Sequence, residues 1–82
     1  MLAFIEGNPI AIGSHSAIIQ TGGLGYEIFL TDRVLALVKV GSGTTKFFLH
    51  FYLRENVQEL YGFESFEERE LFRLMLQVSG LG

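Results

Sequence analysis

Hydrophobic and polar positions along the chain follow two rhythms, a strand-like one up to residue 63 and a helix-like one from residue 64 onward. Five segments of the first part read as strands. Met1 to Glu6 alternates loosely and is rich in strand formers. Gly7-Asn8-Pro9 is expected to bend or break it, because proline cannot donate to a ladder. Ala17 to Thr21 and Tyr26 to Leu30 are β-type runs joined through Gly22-Gly23-Leu24-Gly25. That is a hairpin signal, since glycine takes up positive φ without steric cost. Val34 to Val40 fits a short helix or a strand, and Gly41-Ser42-Gly43 punctuates it. Thr45 to Leu53 is a long β-branched and aromatic run, Val57 to Tyr61 a shorter one, and Arg54-Glu55-Asn56 a polar turn between them. Short strands separated by turn signals predict a mainly β fold, a five-stranded closed or partly closed barrel rather than a sandwich.

The ending has helical character over Glu67 to Gln77. Ser65 is an N-cap with Glu68 three residues on, the spacing of a capping box, and Glu67, Glu68 and Glu70 sit where the helix dipole favours anions. Leu71, Leu74, Met75 and Val78 recur at i, i+3, i+4 and i+7, widened by Phe72 and Leu76, and this stripe is expected to pack on the barrel. Gly80 is the expected C-terminal stop. Ser79-Gly80-Leu81-Gly82 has the Gly-x-Gly form of a hairpin that normally leads into a second helix, in a helix-hairpin-helix that offers backbone N–H groups to a phosphate. The 82 residues therefore read as the first domain of something longer: a barrel over 1–63, then a helix and the start of a helix-hairpin-helix over 64–82.

Composition narrows the function. An apolar content of 49%, with eight Phe and three Tyr, supports a packed core in a small domain. The absence of Cys excludes disulfides, thiol catalysis and cysteine-ligated metal, and fits a reducing compartment. The N-terminus lacks a basic flank and meets Glu6 early, unlike a signal peptide, and no apolar run is long enough to span a bilayer. The net charge is −3 and the six basic residues, Arg33, Lys39, Lys46, Arg54, Arg69 and Arg73, are scattered. Phosphate-backbone affinity depends on clustered cations, so weak nucleic-acid binding is expected of this piece alone.

Catalytic chemistry finds little support. His15 and His50 are the only histidines, no local pair has metal-ligand spacing, and no cofactor motif is present. His50, in an aromatic strand, reads as structural. The glycines at 22, 23 and 25 lack the following lysine of a phosphate loop and read as turn chemistry. Alternation puts Phe47, Leu49 and Phe51 on one face of their strand and Phe48, His50 and Tyr52 on the other. One face must be core. The other could stack bases, as barrels of this size can, or meet core or a subunit.

Four blocks together resemble the RuvA family of junction-recognition subunits: Gly22-Gly23-Leu24-Gly25-Tyr26-Glu27; His50-Phe51 with Arg54-Glu55; Leu60-Tyr61-Gly62-Phe63; and Glu68-Arg69 with Leu71-Phe72 leading to Gly80-Leu81-Gly82. The resemblance covers nearly the whole chain and implies an oligonucleotide/oligosaccharide-binding (OB) barrel with one C-terminal α-helix. It further implies, in a full-length protein, a helix-hairpin-helix domain, a small mobile third domain, and a homotetramer in the bacterial cytoplasm. That tetramer would hold four-way junction DNA open for the ATPase partner RuvB, with no catalysis of its own. Glu55 and Asn56 then occupy the position of the family's acidic pin at the junction centre, and Ser79, Gly80, Leu81 and Gly82 the start of a DNA-backbone hairpin. Family members commonly carry Glu then Asp at the pin; here Asn56 leaves one formal charge per subunit. The rival readings are a general single-strand-binding barrel, which calls for a basic aromatic groove, and a barrel that only binds proteins.

Overall fold

The computed structural model describes residues 1–79. Its elements are β1 (Phe4–Ile12), β2 (Ser16–Thr21), β3 (Leu24–Phe29), α1 (Asp32–Leu35), β4 (Thr45–Arg54), β5 (Val57–Phe63) and α2 (Phe66–Ser79). The strands close a barrel in the order β1-β2-β3-β5-β4. Every pairing is antiparallel except β3 with β5, where Ile28 and Phe29 lie beside Leu60 and Tyr61 in parallel. Closure pairs the barrel strands on both sides, while the outer part of the β4–β5 hairpin extends past β1 and β3.

Alternation fills the interior. Ile5, Ala17, Ile19, Ile28, Phe47 and Leu49 point inward from four strands, and Ile19, Ile28 and Leu49 are wholly buried. Leu30 and Val34, with Leu35 and Val38 behind them, close one end. The stretch that fitted either helix or strand thus resolves as a short helix that starts before Val34. Its N-cap is Thr31, whose Oγ1 accepts from the Val34 N–H at 3.3 Å.

Of the bend or break expected at Gly7-Asn8-Pro9, the structure shows an irregularity without a break, and β1 continues through it. The physical reason is that β1 changes partners there. Phe4 to Gly7 pair with β4, Asn8 to Ile12 pair with β2, and the register slips between Pro9 and Ala11. Pro9 lies beyond the last residue that pairs with β4, and the irregularity bends the strand from one neighbour to the other. Gly7 sits at the crossing, where a Cβ would collide with the Gln20 carbonyl and press on Ile19. Between β2 and β3 the turn is Gly22-Gly23 alone, since Thr21 faces Leu24. Gly22 carries φ +60°, the requirement of the first central position of a primed turn.

The helix starts as expected. Ser65 Oγ accepts from the Glu68 N–H at 3.1 Å and donates to the Glu68 carboxylate at 3.2 Å. Its orientation is the second correction. Leu71, Leu74, Met75 and Val78 are 57%, 56%, 61% and 83% exposed, so the leucine stripe faces away from the barrel. The face that packs on β4 and β5 carries Arg69, Phe72, Arg73 and Leu76, the opposite side of a helix with 3.6 residues per turn. Phe72 lies 5.0 Å from the Phe63 ring and 5.5 Å from those of His50 and Tyr61. Arg69, only 7% exposed, is satisfied by the Ala3 carbonyl at 3.3 Å, by Glu70, and by the Phe66 ring beneath its guanidinium. Two arginines take inward positions because their stems are apolar and their forks find partners.

Candidate functional site

The site that the sequence singles out is the hairpin between the two longest-paired strands. From Phe48 opposite Phe63 to Arg54 opposite Val57, β4 and β5 stay in continuous antiparallel register, leaving Glu55 and Asn56 as the only residues of the turn. Two-residue turns of the favoured primed type require positive φ, yet no non-glycine among the described residues has it. The tip is therefore a less favoured turn, closed by the Val57 N–H donating to the Glu55 carbonyl. Both of its residues carry full polar side chains. Leu53 to Gln58 are all exposed. The hairpin thus presents a carboxylate and an amide to solvent on a continuously paired two-stranded stem.

The root of the stem is locked to α2 by aromatic packing. Tyr61, directly across from His50, meets Tyr52 edge-on at 6.2 Å and Phe29 at 5.8 Å. Its hydroxyl donates to Glu59 at 2.7 Å, and burial together with that hydrogen bond pushes the phenol up to about 12. His50 Nδ1 accepts from Arg73 Nε at 3.0 Å, which requires a neutral imidazole. Burial, and then the nearby Arg73 and Arg69 charges, hold the His50 pKa below its ordinary 6.5. His50 is structural, as its aromatic strand suggested. The faces of β4 divide much as alternation predicted: Phe47 and Leu49 are core and Phe51 on the same face is half-buried, while Phe48 and His50 meet Phe66 and Phe72 of α2 and Tyr52 meets Tyr61 of β5. At Phe48 and His50 that outer face is occupied by helix side chains.

No cation stripe forms among the described residues. Arg33 is bridged to Glu64 at 3.0 Å and to Glu68 at 3.5 Å, and Arg69 and Arg73 share Glu70. Lys46 rests against the Phe4 and Phe48 rings. A basic groove for single-stranded nucleic acid would need these charges side by side. No metal-binding cluster of His, Asp and Glu occurs among the described residues, and no helix there is long and apolar enough to cross a membrane.

Of the predicted site residues, Glu55 and Asn56 are adjacent at the hairpin tip. Ser79 closes α2, its hydroxyl donating to the Leu76 carbonyl at 3.1 Å. Gly80, Leu81 and Gly82, and with them the expected hairpin and helix stop, lie outside the described residues. Sequence reasoning named Tyr52 and Arg54 but did not foresee that they pair with each other. Arg54 Nη1 donates to the Tyr52 hydroxyl at 3.0 Å, and the i, i+2 spacing on one strand face was the available signal.

A five-stranded closed barrel with one parallel pairing, a short helix between its third and fourth strands and a projecting β4–β5 hairpin is an OB-fold barrel. Comparison with known proteins then specifies it further. A family model described as the RuvA N terminal domain matches residues 1–62, and the chain belongs to that family. Relatives named Holliday junction branch migration complex subunit RuvA are 40% identical over 82 residues in Brevibacillus brevis and in Halothermothrix orenii. Another from Maridesulfovibrio salexigens is 39% identical over 83 residues. Each match covers 100% of this chain but only 40% to 41% of the relative, so the chain spans about two-fifths of their length.

Proposed function

We propose that the chain serves as the N-terminal scaffold domain of a Holliday-junction-binding subunit in a branch-migration complex, with the β4–β5 tip as its acidic pin. The observation that carries this is the solvent-facing carboxylate of Glu55 at the end of a continuously paired hairpin, in a barrel of the RuvA N-terminal family. In this reading residues 1–63 form the barrel and 64–82 open a helical domain whose hairpins grip the DNA backbone. The working unit is a homotetramer in the bacterial cytoplasm, and the ATP-dependent motor is a separate partner, RuvB.

Charge explains the pin. Four tips around a tetramer axis would bring carboxylates beside converging phosphates. At a separation of roughly 7 Å in water, one such pair repels by about 0.6 kcal/mol. The repulsion discourages strands from settling at the crossover and steers them into the arms, while affinity comes from phosphate contacts elsewhere. A net acidic chain whose Arg33, Arg69 and Arg73 are paired with glutamates suits that division of labour. It suits the single-strand-binding reading poorly.

The test joins these 82 residues to the remaining part of the Brevibacillus brevis relative and measures four-way-junction binding and branch migration. Glu55→Lys should tighten binding and slow migration. Asn56→Asp should weaken binding by less, with both effects shrinking as salt screens them. The 82 residues alone should not shift a junction at moderate salt. If both substitutions left binding and migration unchanged across a salt series, the pin assignment would be wrong. Tight binding by the 82 residues alone would put the single-strand-binding reading ahead.

A further inference from the structure

The hairpin tip holds two formal charges of opposite sign, and their placement decides what charge the tip shows. Arg54 and Glu55 are neighbours in sequence, free to pair across a short distance. The structure places them otherwise. Arg54 reaches back along β4 to the Tyr52 hydroxyl at 3.0 Å, and among the described residues Glu55 takes part in no ion pair. The anchor of this tether is fixed. Tyr52 meets Tyr61 edge-on at 6.2 Å with the rings 78° apart, and Tyr61 lies 5.5 Å from Phe72 of α2. Tyr61 also donates to Glu59, the residue directly across from Tyr52, so that carboxylate already has a partner. The cation is thereby drawn toward the root of the hairpin while the anion stays at its end.

Asn56 makes this matter. With a single acid in the turn, an Arg54–Glu55 pair would leave the tip without net charge. Resting on the acidic-pin reading above, we propose that Tyr52 is a positioning residue for the pin: its hydroxyl holds Arg54 away from Glu55 and keeps the Glu55 charge bare. Both arrangements are exposed and comparable in strength, so loss of one hydroxyl suffices to shift the guanidinium from one to the other.

The experiment uses the same fusion with the Brevibacillus brevis relative. Tyr52→Phe keeps the ring and its packing and removes only the tether. Junction affinity should rise about two- to fivefold at low salt, the range of an exposed ion pair, and the gain should vanish at high salt. In an Arg54→Gln background, Tyr52→Phe should change nothing, because no cation remains to be released. A gain of equal size in that background would show that Arg54 is not the intermediary and overturn the proposal. So would unchanged affinity in Tyr52→Phe while Glu55→Lys still tightens binding, a result that leaves the pin itself standing. If Glu55→Lys also has no effect, the pin reading fails first and the positioning role falls with it.

Discussion

Truncating Phe72 to alanine tests which side of α2 faces the barrel. The ring is half-buried against Phe63, His50 and Tyr61, with centroids 5.0 to 5.5 Å away. A phenylalanine buries on the order of 200 Å² when fully enclosed. Half of that at about 25 cal/mol per Å² is about 2.5 kcal/mol, and loss of the ring–ring geometry adds about 0.5 to 1 kcal/mol. The expected cost is therefore about 3 kcal/mol, a large share of the roughly 4 to 12 kcal/mol that a domain of this size commands. Leu74→Ala, on the outward stripe with the side chain 56% exposed, should cost under about 0.5 kcal/mol. Urea unfolding of the 82-residue chain, followed by circular dichroism, should show the midpoint falling by roughly 1.5 to 3 M for Phe72→Ala and hardly moving for Leu74→Ala. Equal losses, or a larger loss at Leu74, would mean that the leucine stripe is the packed face and the helix orientation described above is wrong.

Three further outcomes follow from the geometry. The folded-state pKa of His50 lies below its unfolded value of 6.5, so the unfolded chain binds the extra proton first. Stability should be level above about pH 7.5 and decline as pH falls through 6.5 toward the depressed folded value; His50→Phe should flatten that limb in thermal melts at pH 5.5 and 7.5. Gly7→Ala should cost at least about 2 kcal/mol, because the new methyl meets the rigid Gln20 carbonyl and not a movable side chain; a melting temperature within a degree or two of the parent would contradict the close crossing of β1 and β2. Ser65→Ala should cost about 1 kcal/mol by freeing the Glu68 N–H, and Ser65→Asp should recover most of it in the same assay.

Much of the architecture was legible from residues alone. Strand alternation marked Phe47 and Leu49 as one face of β4, and the turn chemistry at Gly22-Gly23 and the cap at Ser65 are local devices that act within a few residues. The polar turn expected at Arg54-Glu55-Asn56 was visible for the same reason, a hairpin tip being defined by what interrupts two apolar runs, although Arg54 proves to be the last residue of β4. Three features were decided only by tertiary structure. β1 continues through Pro9 because two different neighbours share it, and no local rule counts neighbours. The helix turns its leucines outward because the barrel offers Phe63, Tyr61, His50 and the Ala3 carbonyl as partners for Phe72, Arg73 and Arg69. Hydrophobic periodicity identifies an apolar stripe but cannot see that arginine stems and forks will compete for the inner face. Arg54 takes Tyr52 rather than its neighbour Glu55 because Tyr52 is held by Tyr61, itself packed against α2. Local periods and caps are properties of the chain, whereas the choice between two available partners depends on surfaces that exist only once the barrel has closed.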